Sequence, residues 1–483
     1  MIKALLIGKD SVVSKECKAQ VLSKGELNKL TALHDVISPV TEKKITAVPA
    51  LSAEETVAAI TKSQKAFETW KKVTPGDRAK LLRNFAAVVE KNIEVLAKLE
   101  VENAGHTIGN ARWEANNVVN VLNYYAGGPE RLFGRQIPVP GGVDITFREP
   151  IGVVGIIVPW NFPMPIAGWG FGPALAAGCT VVLKPAEVTP LTAMKLAELA
   201  LEAGIPENVF QVLTGSGRVV GETIVQDPRV RKIVFTGSTE IGTQIMAKCA
   251  PNVKRVTLEL GGKSANVIFA DSDLEKAAAS APGAVFDNAG QDCCARSRIL
   301  IEKKAFDKFM PLLEQAVKSF KCADPSLETT EMGPLITSAH RDKVASYVEE
   351  SLVAFRGTAP TGAGFWFPPT VLHVTDRKHK SLTEEIFGPV VSVVTFEDEA
   401  DGIALANDSE FGLSGSIWTN NGAKALRVSR GIESGNLSVN SHSSVRYWTP
   451  FGGFKKSGLG RELGPDALNA FTEEKNVFIN TEI

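Results

Sequence analysis

The run Phe286-Asp-Asn-Ala-Gly-Gln-Asp-Cys-Cys294 carries a thiol, Cys293, that lies 34 residues after a carboxylate, Glu259, in Leu258-Glu-Leu-Gly-Gly-Lys263. A thiolate can attack a carbonyl carbon, and a carboxylate can deprotonate the water that releases the product. The two groups are the parts of covalent carbonyl chemistry. A cysteine in an apolar stretch is more often a small buried hydrophobe. The pair therefore gains meaning only from the elements that position it.

Those elements alternate. Ser52-Ala-Glu-Glu55 is a capping-box pattern that opens a helix running towards Trp70. A long helix is expected from about 77 to 103. The segments 151–158, 179–184, 209–213 and 232–236 read as strands. Helices are expected within 167–177, from Thr189-Pro190 to Gly204, and from a Ser238 cap to about 248. A second α/β set follows Gly261, with helices near 272–281 and 304–320. This rhythm implies a parallel sheet with helices on its faces, an α/β fold.

Such sheets bind ligands beyond the carboxyl ends of their strands. Three strands here run into Pro159-Trp-Asn-Phe-Pro163, Lys184-Pro-Ala-Glu187 and Gly237-Ser-Thr-Glu-Ile-Gly242. They supply an amide, a Lys/Glu pair and a glycine turn at a helix start, where free N–H groups suit a pyrophosphate. By themselves Gly237 and Gly242 equally fit a tight turn and a close helix–sheet contact. The G-x-G triplets at 170–172, 215–217 and 458–460 lack the full dinucleotide fingerprint and read as turns, with Gly215–Gly217 placed near the adenine end of a cofactor.

Composition narrows the function classes. The 483 residues are long enough for two or three structural units. Lys+Arg total 53 against 54 Asp+Glu, so no basic excess exists to drive nucleic-acid binding. Six cysteines (17, 179, 249, 293, 294 and 322) form no disulfide framework or metal-type CxxC set, and the six histidines show no helical zinc spacing. Reduced thiols and a cytoplasmic setting follow. The apolar start of the chain is too short for an export signal. Residues 150–183 carry no charge and are long enough to mimic a membrane span, but five prolines break them.

Seven runs then fall in a recognisable order: Pro159-Trp-Asn-Phe-Pro163, Lys184-Pro-Ala-Glu187, Phe235-Thr-Gly-Ser-Thr239, Leu258-Glu-Leu-Gly-Gly262, Gly290-Gln-Asp-Cys293, Glu384-Glu-Ile-Phe-Gly-Pro389 and Pro450-Phe-Gly-Gly-Phe454. With them the chain resembles the NAD(P)-dependent aldehyde dehydrogenase superfamily over nearly its full length. The resemblance implies that Cys293 attacks the aldehyde and that Asn161, with the Cys293 backbone N–H, receives the developing oxyanion. It implies hydride transfer to a nicotinamide and a thioester hydrolysed by water that Glu259 activates. Lys184 and Glu187 would bind the adenosine ribose, and a carboxylate there disfavours a 2′-phosphate, so NAD is expected over NADP. Ser238 and Trp160 would contact the pyrophosphate beside the Gly237/Gly242 turn. Glu385 would bind the nicotinamide ribose, with Phe387 beside the ring.

The chain departs from the family pattern where Trp169-Gly170 replaces a Trp-Lys pair, where Asp292 precedes the nucleophile, and where Cys179 stands in place of an Asn. A negative charge at Asp292 should raise the thiol pKa. The resemblance places Phe162, Trp169, Asp292, Cys294, Val445 and Phe451 along the substrate tunnel, walls that suit an apolar or aromatic aldehyde. It implies a Rossmann-type cofactor domain from 1–128 and 151–260, a catalytic α/β domain over 261–456, and a small β oligomerisation arm from 133–150 with 470–483. The apolar 476–480 tail is expected to add a strand to a neighbour's sheet in a homodimer or homotetramer. No metal, nucleic-acid or membrane partner is implied. Two other readings are a CoA-acylating dehydrogenase, which Glu259 disfavours, and a catalytically retired binding protein, which the intact Cys293, Glu259 and Asn161 disfavour.

Overall fold

The computed structural model describes residues 32–443 and 445–482. The start of the chain, read above as lacking an export signal, and Cys17 lie outside the described residues.

The helical layer begins as its caps dictate. Ser52 Oγ accepts from Glu55 N at 3.2 Å, and the Glu55 carboxylate accepts from Ser52 N at 2.8 Å, at the head of Ala53–Trp70. The single helix expected over 77–103 is two, Pro75–Lys91 and Ile93–Ala104. They break at Asn92, whose Nδ2 donates to Val88 O at 2.8 Å. An asparagine amide that bonds its own backbone competes with helix continuation. Ile108–Ala126 completes the layer.

The uncharged stretch 150–183 folds as Val153–Ile157, Pro163–Ala177 and Thr180–Lys184, with every residue of the helix buried. It is hydrophobic all round because protein covers it on every side. Among the described residues no helix is long and apolar enough to cross a membrane.

Two large sheets carry the chemistry. The first runs Gly458–Leu459, Arg255–Glu259, Val230–Thr236, Val153–Ile157, Thr180–Lys184 and Phe210–Val212, all parallel except the short Gly458–Leu459 edge. Strand order reverses at Val153–Ile157, whose neighbours are Thr180–Lys184 on one side and Val230–Thr236 on the other. The loop carrying Asn161 and the turn carrying Ser238 leave the carboxyl ends of strands at that reversal, where open α/β sheets bind ligands.

The second sheet orders Val353–Arg356, Thr370–His373, Val390–Phe396, Arg298–Glu302, Ala265–Ile268, Ser414–Trp418 and Asn436–Val439, parallel except for Val353–Arg356. Here the chemistry-bearing residues precede the strands: Cys293 comes before Arg298–Glu302, and Glu385 before Val390–Phe396. The carboxyl ends of the first sheet thus meet the amino ends of the second.

A three-stranded antiparallel sheet joins Gln136–Val139, Gly142–Pro150 and Thr472–Asn480. The chain's tail pairs with its own Gly142–Pro150 from Thr472↔Pro150 to Asn480↔Gly142, which leaves the far edge of Thr472–Asn480 without a strand among the described residues.

Candidate active site

The nucleophile sits on a loop braced from within. After the Leu274–Phe286 helix, Asn288, Ala289 and Gly290 take positive φ of 49°, 55° and 70°. At Gly290 a Cβ would lie 2.1 Å from Gly388 O, so only glycine fits. Asn288 Nδ2 donates to Asn161 O at 2.8 Å and to Gln291 O at 3.2 Å. Gln291 Nε2 donates to Asn288 O at 2.9 Å, and its Oε1 accepts from Ile336 N at 2.9 Å. Buried amides satisfied in this way fix a loop that sequence periodicity leaves undefined. The resemblance did not single out Asn288 or Gln291 for this bracing. Their signal was a polar pair in a buried run just before the nucleophile.

Cys293 itself is partly exposed, whereas Cys294 beside it is buried. A hydrogen bond to Cys294, burial, and negative charge at Cys294, Asp292 and Glu385 all push the Cys293 thiol well above its ordinary pKa. Asp292 Oδ1 accepts from Cys294 N at 2.9 Å, and burial raises its carboxyl. Asp292 also lines a cavity of about 510 Å³ with Asp287, Arg296, Ser441 and His442. Arg296, also missed in the sequence, supports the loop from behind, with Nη1 donating to Cys294 O at 2.6 Å and Nε to Ser416 Oγ at 3.0 Å.

Asn161 meets this loop from the first sheet. It is buried, and its Nδ2 donates to Gln291 O at 3.0 Å. A carboxamide has two N–H donors, so one remains for an oxygen beside the nucleophile. Glu259 ends its strand with 2 % exposure, and neither carboxylate oxygen has a protein hydrogen-bond partner. The surface carboxylate that a strand end usually carries is thus not what is found. Burial, then Glu462 and Cys294, push its pKa well above the ordinary carboxylate value, against the pull of Arg461. Glu462, likewise buried and raised to about 8, is a neighbour the sequence reading did not single out.

Lys184 ends its strand buried, its Nζ donating to Pro185 O at 2.9 Å. Burial lowers its pKa while Glu187 opposes the shift. Glu187 Oε1 accepts from Gly217 N at 3.0 Å, which brings the Gly215–Gly217 turn to this strand end. Ser238 caps Thr239–Cys249 by accepting from Ile241 N at 3.3 Å. Gly237 N donates to Glu259 O at 3.0 Å, and Gly242 lies against Leu260. Glu385 Oε1 accepts from Gly262 N at 2.7 Å. Gly262 in turn touches the nucleophile loop, where a Cβ would lie 2.4 Å from Cys293 O. Phe387 holds a φ of 58°, and its carbonyl lies 2.7 Å from His340 Nε2. Trp160 meets the Phe387 and His340 rings edge-on at 5.4 and 5.3 Å.

Phe162 and Val445 pack with Cys293 on the cluster that holds Trp169, Cys294 and Phe451. Trp169 lies 5.3 Å from Phe451, and its Nε1 donates to Asn117 Oδ1 at 2.9 Å.

Comparison with known proteins gives a consistent picture. The family model described as "Aldehyde dehydrogenase family" matches residues 28–477. An aldehyde dehydrogenase of Emericella nidulans is 39 % identical over 450 residues, covering 92 % of this chain and 90 % of that protein. The betaine aldehyde dehydrogenase of Bacillus subtilis is 38 % identical over 463 residues, covering 93 % and 94 %. The crystal structure of betaine aldehyde dehydrogenase from Staphylococcus aureus, in complex with NAD+, superposes with a TM-score of 0.90 at 36 % identity over 94 % of this chain and 92 % of that one. With the family model spanning nearly the whole chain and relatives of this identity matched over nine-tenths of their length, the protein belongs to the aldehyde dehydrogenase family.

Proposed function

We propose that the protein oxidises an aldehyde to a carboxylic acid with NAD through a covalent thioester on Cys293. The observation that carries this reading is the meeting of Asn161 with the nucleophile loop at Gln291 O, in a seam that also buries Glu259 without a partner.

Cys293, once deprotonated, attacks the carbonyl carbon to give a thiohemiacetal. The free Asn161 N–H and the Cys293 backbone N–H receive the negative oxygen, and one such donor lowers a barrier by about 3 kcal/mol. NAD, when bound, supplies the acceptor for the hydride that leaves the former aldehyde carbon. Glu259 takes a proton from water, the water oxygen attacks the thioester carbonyl, and the Cys293 sulfur leaves as the carboxylic acid forms.

The residues at the strand ends fit a dinucleotide. Lys184 and Glu187 would hold the adenosine ribose, and the carboxylate favours NAD over NADP. The start of Thr239–Cys249 at Gly237-Ser238, with Trp160 nearby, would hold the pyrophosphate. Glu385 would hold the nicotinamide ribose beside Phe387. Phe162, Trp169 and Phe451, which share the apolar cluster against which Cys293 packs, support an apolar or aromatic aldehyde as substrate. Among the described residues, the division into 1–128 with 151–260, 261–456, and 133–150 with 470–483 is supported by the two large sheets and the three-stranded sheet. The five cysteines among the described residues are free thiols, which supports a cytoplasmic setting.

The test is NADH formation over aliphatic, aromatic, amino and acidic aldehydes, with Cys293→Ala as control. The expected result is highest efficiency for an apolar or aromatic aldehyde and no turnover with Cys293→Ala. Much higher efficiency with succinate semialdehyde would overturn the substrate reading. No NADH from any aldehyde would overturn the activity. A requirement for CoA in product release would replace hydrolysis by acyl transfer.

A further inference from the structure

The helical layer buries a set of metal-ligating side chains that the reaction above leaves unused. Glu100 lies near the end of Ile93–Ala104, His106 in the turn that follows, and Glu114 in the second turn of Ile108–Ala126. All three are at most 3 % exposed. His106 Nδ1 and one oxygen from each carboxylate lie within 4.8 Å of one another. Nδ1 is in contact with Glu114 Oε1 and lies 3.8 Å from Glu100 Oε1. The spacings of six and eight residues differ from the three or four that ligands on one helix face require, because the set spans two helices and their turn.

Glu100 is unsatisfied as well as buried. Neither of its oxygens has a hydrogen-bond partner in the protein, and Glu114 Oε2 has none either. Buried polar groups are normally partnered. At 3.8 Å the approach of Glu100 to His106 is too long for a hydrogen bond. A proton on Glu100 would remove its charge and still leave the new hydroxyl without an acceptor. A divalent cation meets both needs: it offsets two carboxylates, and their oxygens become its ligands.

The donor set selects the ion. One imidazole and two carboxylates suit zinc. Two donors each about 2 Å from one zinc lie roughly 3–4 Å apart, which matches the separation of Nδ1 and Glu100 Oε1. Magnesium and calcium take six or more ligands, mostly oxygen, and three side chains fall short of that.

We propose that Glu100, His106 and Glu114 form a structural zinc site that ties Ile93–Ala104 to Ile108–Ala126 across their turn. The ion takes no part in the chemistry at Cys293. It is acquired during folding, because the closed site exists only once the two helices have met. The His106 ring lies 5.7 Å from the ring of Phe162, so the tie stands beside the catalytic seam rather than within it.

The test makes the full-length enzyme and its Glu100→Gln, Glu114→Gln and Cys293→Ala variants in zinc-supplemented and zinc-depleted medium. Bound metal is measured by plasma mass spectrometry after loosely held ions are removed. Expected results are about one zinc per chain in supplemented wild type and in Cys293→Ala, and a fall of about tenfold or more in Glu100→Gln and Glu114→Gln. Zinc-depleted wild type should melt about 5 °C or more below the zinc-loaded protein, whereas the Glu100→Gln midpoint should not depend on zinc. Metal-free wild type from supplemented medium would overturn the site. Zinc kept in Glu100→Gln but lost in Cys293→Ala would overturn it too, by placing the ion on the active-site thiols. One equivalent of manganese or iron, lost with Glu100→Gln, would overturn the choice of zinc. If the Gln variants fail to fold, the wild type decides: a metal content and midpoint indifferent to zinc supply would overturn the proposal.

Discussion

At the scale of single residues, the arrangement couples the nucleophile to a second thiol. The Cys294 contact is the largest cause raising the Cys293 pKa, ahead of burial and of the charge on Asp292. A raised thiol pKa means less thiolate at neutral pH, so alkylation of Cys293 should quicken as pH rises. Cys294→Ala removes the leading cause and should move that rise to lower pH, as measured by iodoacetamide modification across a pH series. An unmoved profile would mean that the two thiols do not share a proton. The Asp292 charge was legible in the sequence, because a carboxylate next to a thiol acts through one peptide unit. The Cys294 hydrogen bond was not, since adjacent side chains can as easily point apart. Nor was the Glu462 charge on Glu259, which depends on residues 203 positions apart meeting in one core.

At the scale of elements, the strands of the first sheet and their loops were readable because buried parallel strands leave short apolar runs, and capping residues mark the helices between them. Val153–Ile157, Thr180–Lys184, Phe210–Val212 and Val230–Thr236 all lie within or close to the segments read from sequence. The break at Asn92 was missed because the apolar spacing continues through it while the cause is a side-chain bond to Val88 O. The left-handed run Asn288–Gly290 was missed because two of its residues are not glycine, and tertiary hydrogen bonds hold them there. Gly262 tests how tightly these elements are placed. Its Cβ position lies 2.4 Å from Cys293 O, so Gly262→Ala must displace the nucleophile loop or the turn after Glu259. A misplacement of the reacting groups by about 1 Å costs about 100-fold, so kcat/KM should fall by about that factor with a thermal midpoint near that of wild type. Near-normal kcat/KM would show that the loop has room to shift.

At the scale of the whole molecule, the two large sheets meet end to end, and the site is made only where they meet. The small third sheet lies outside them. Its Thr472–Asn480 strand leaves one edge unpaired among the described residues, with Phe478 half-exposed and Ile479 half-exposed opposite Val143. Unpaired apolar edges are normally covered. We therefore expect a homodimer or homotetramer, and a monomer by light scattering at micromolar concentration would refute it. The sequence pointed to the tail as a strand for a neighbour's sheet and the family resemblance grouped it with 133–150; the tail pairs with Gly142–Pro150 of its own chain. The central claim is that a thioester forms on Cys293 and is then released by water that Glu259 activates. Pre-steady-state NADH formation by Glu259→Gln tests it most directly. The account predicts a full initial burst followed by slow steady turnover, because only the hydrolytic half of the cycle loses its base; equal loss of burst and steady rate would contradict it.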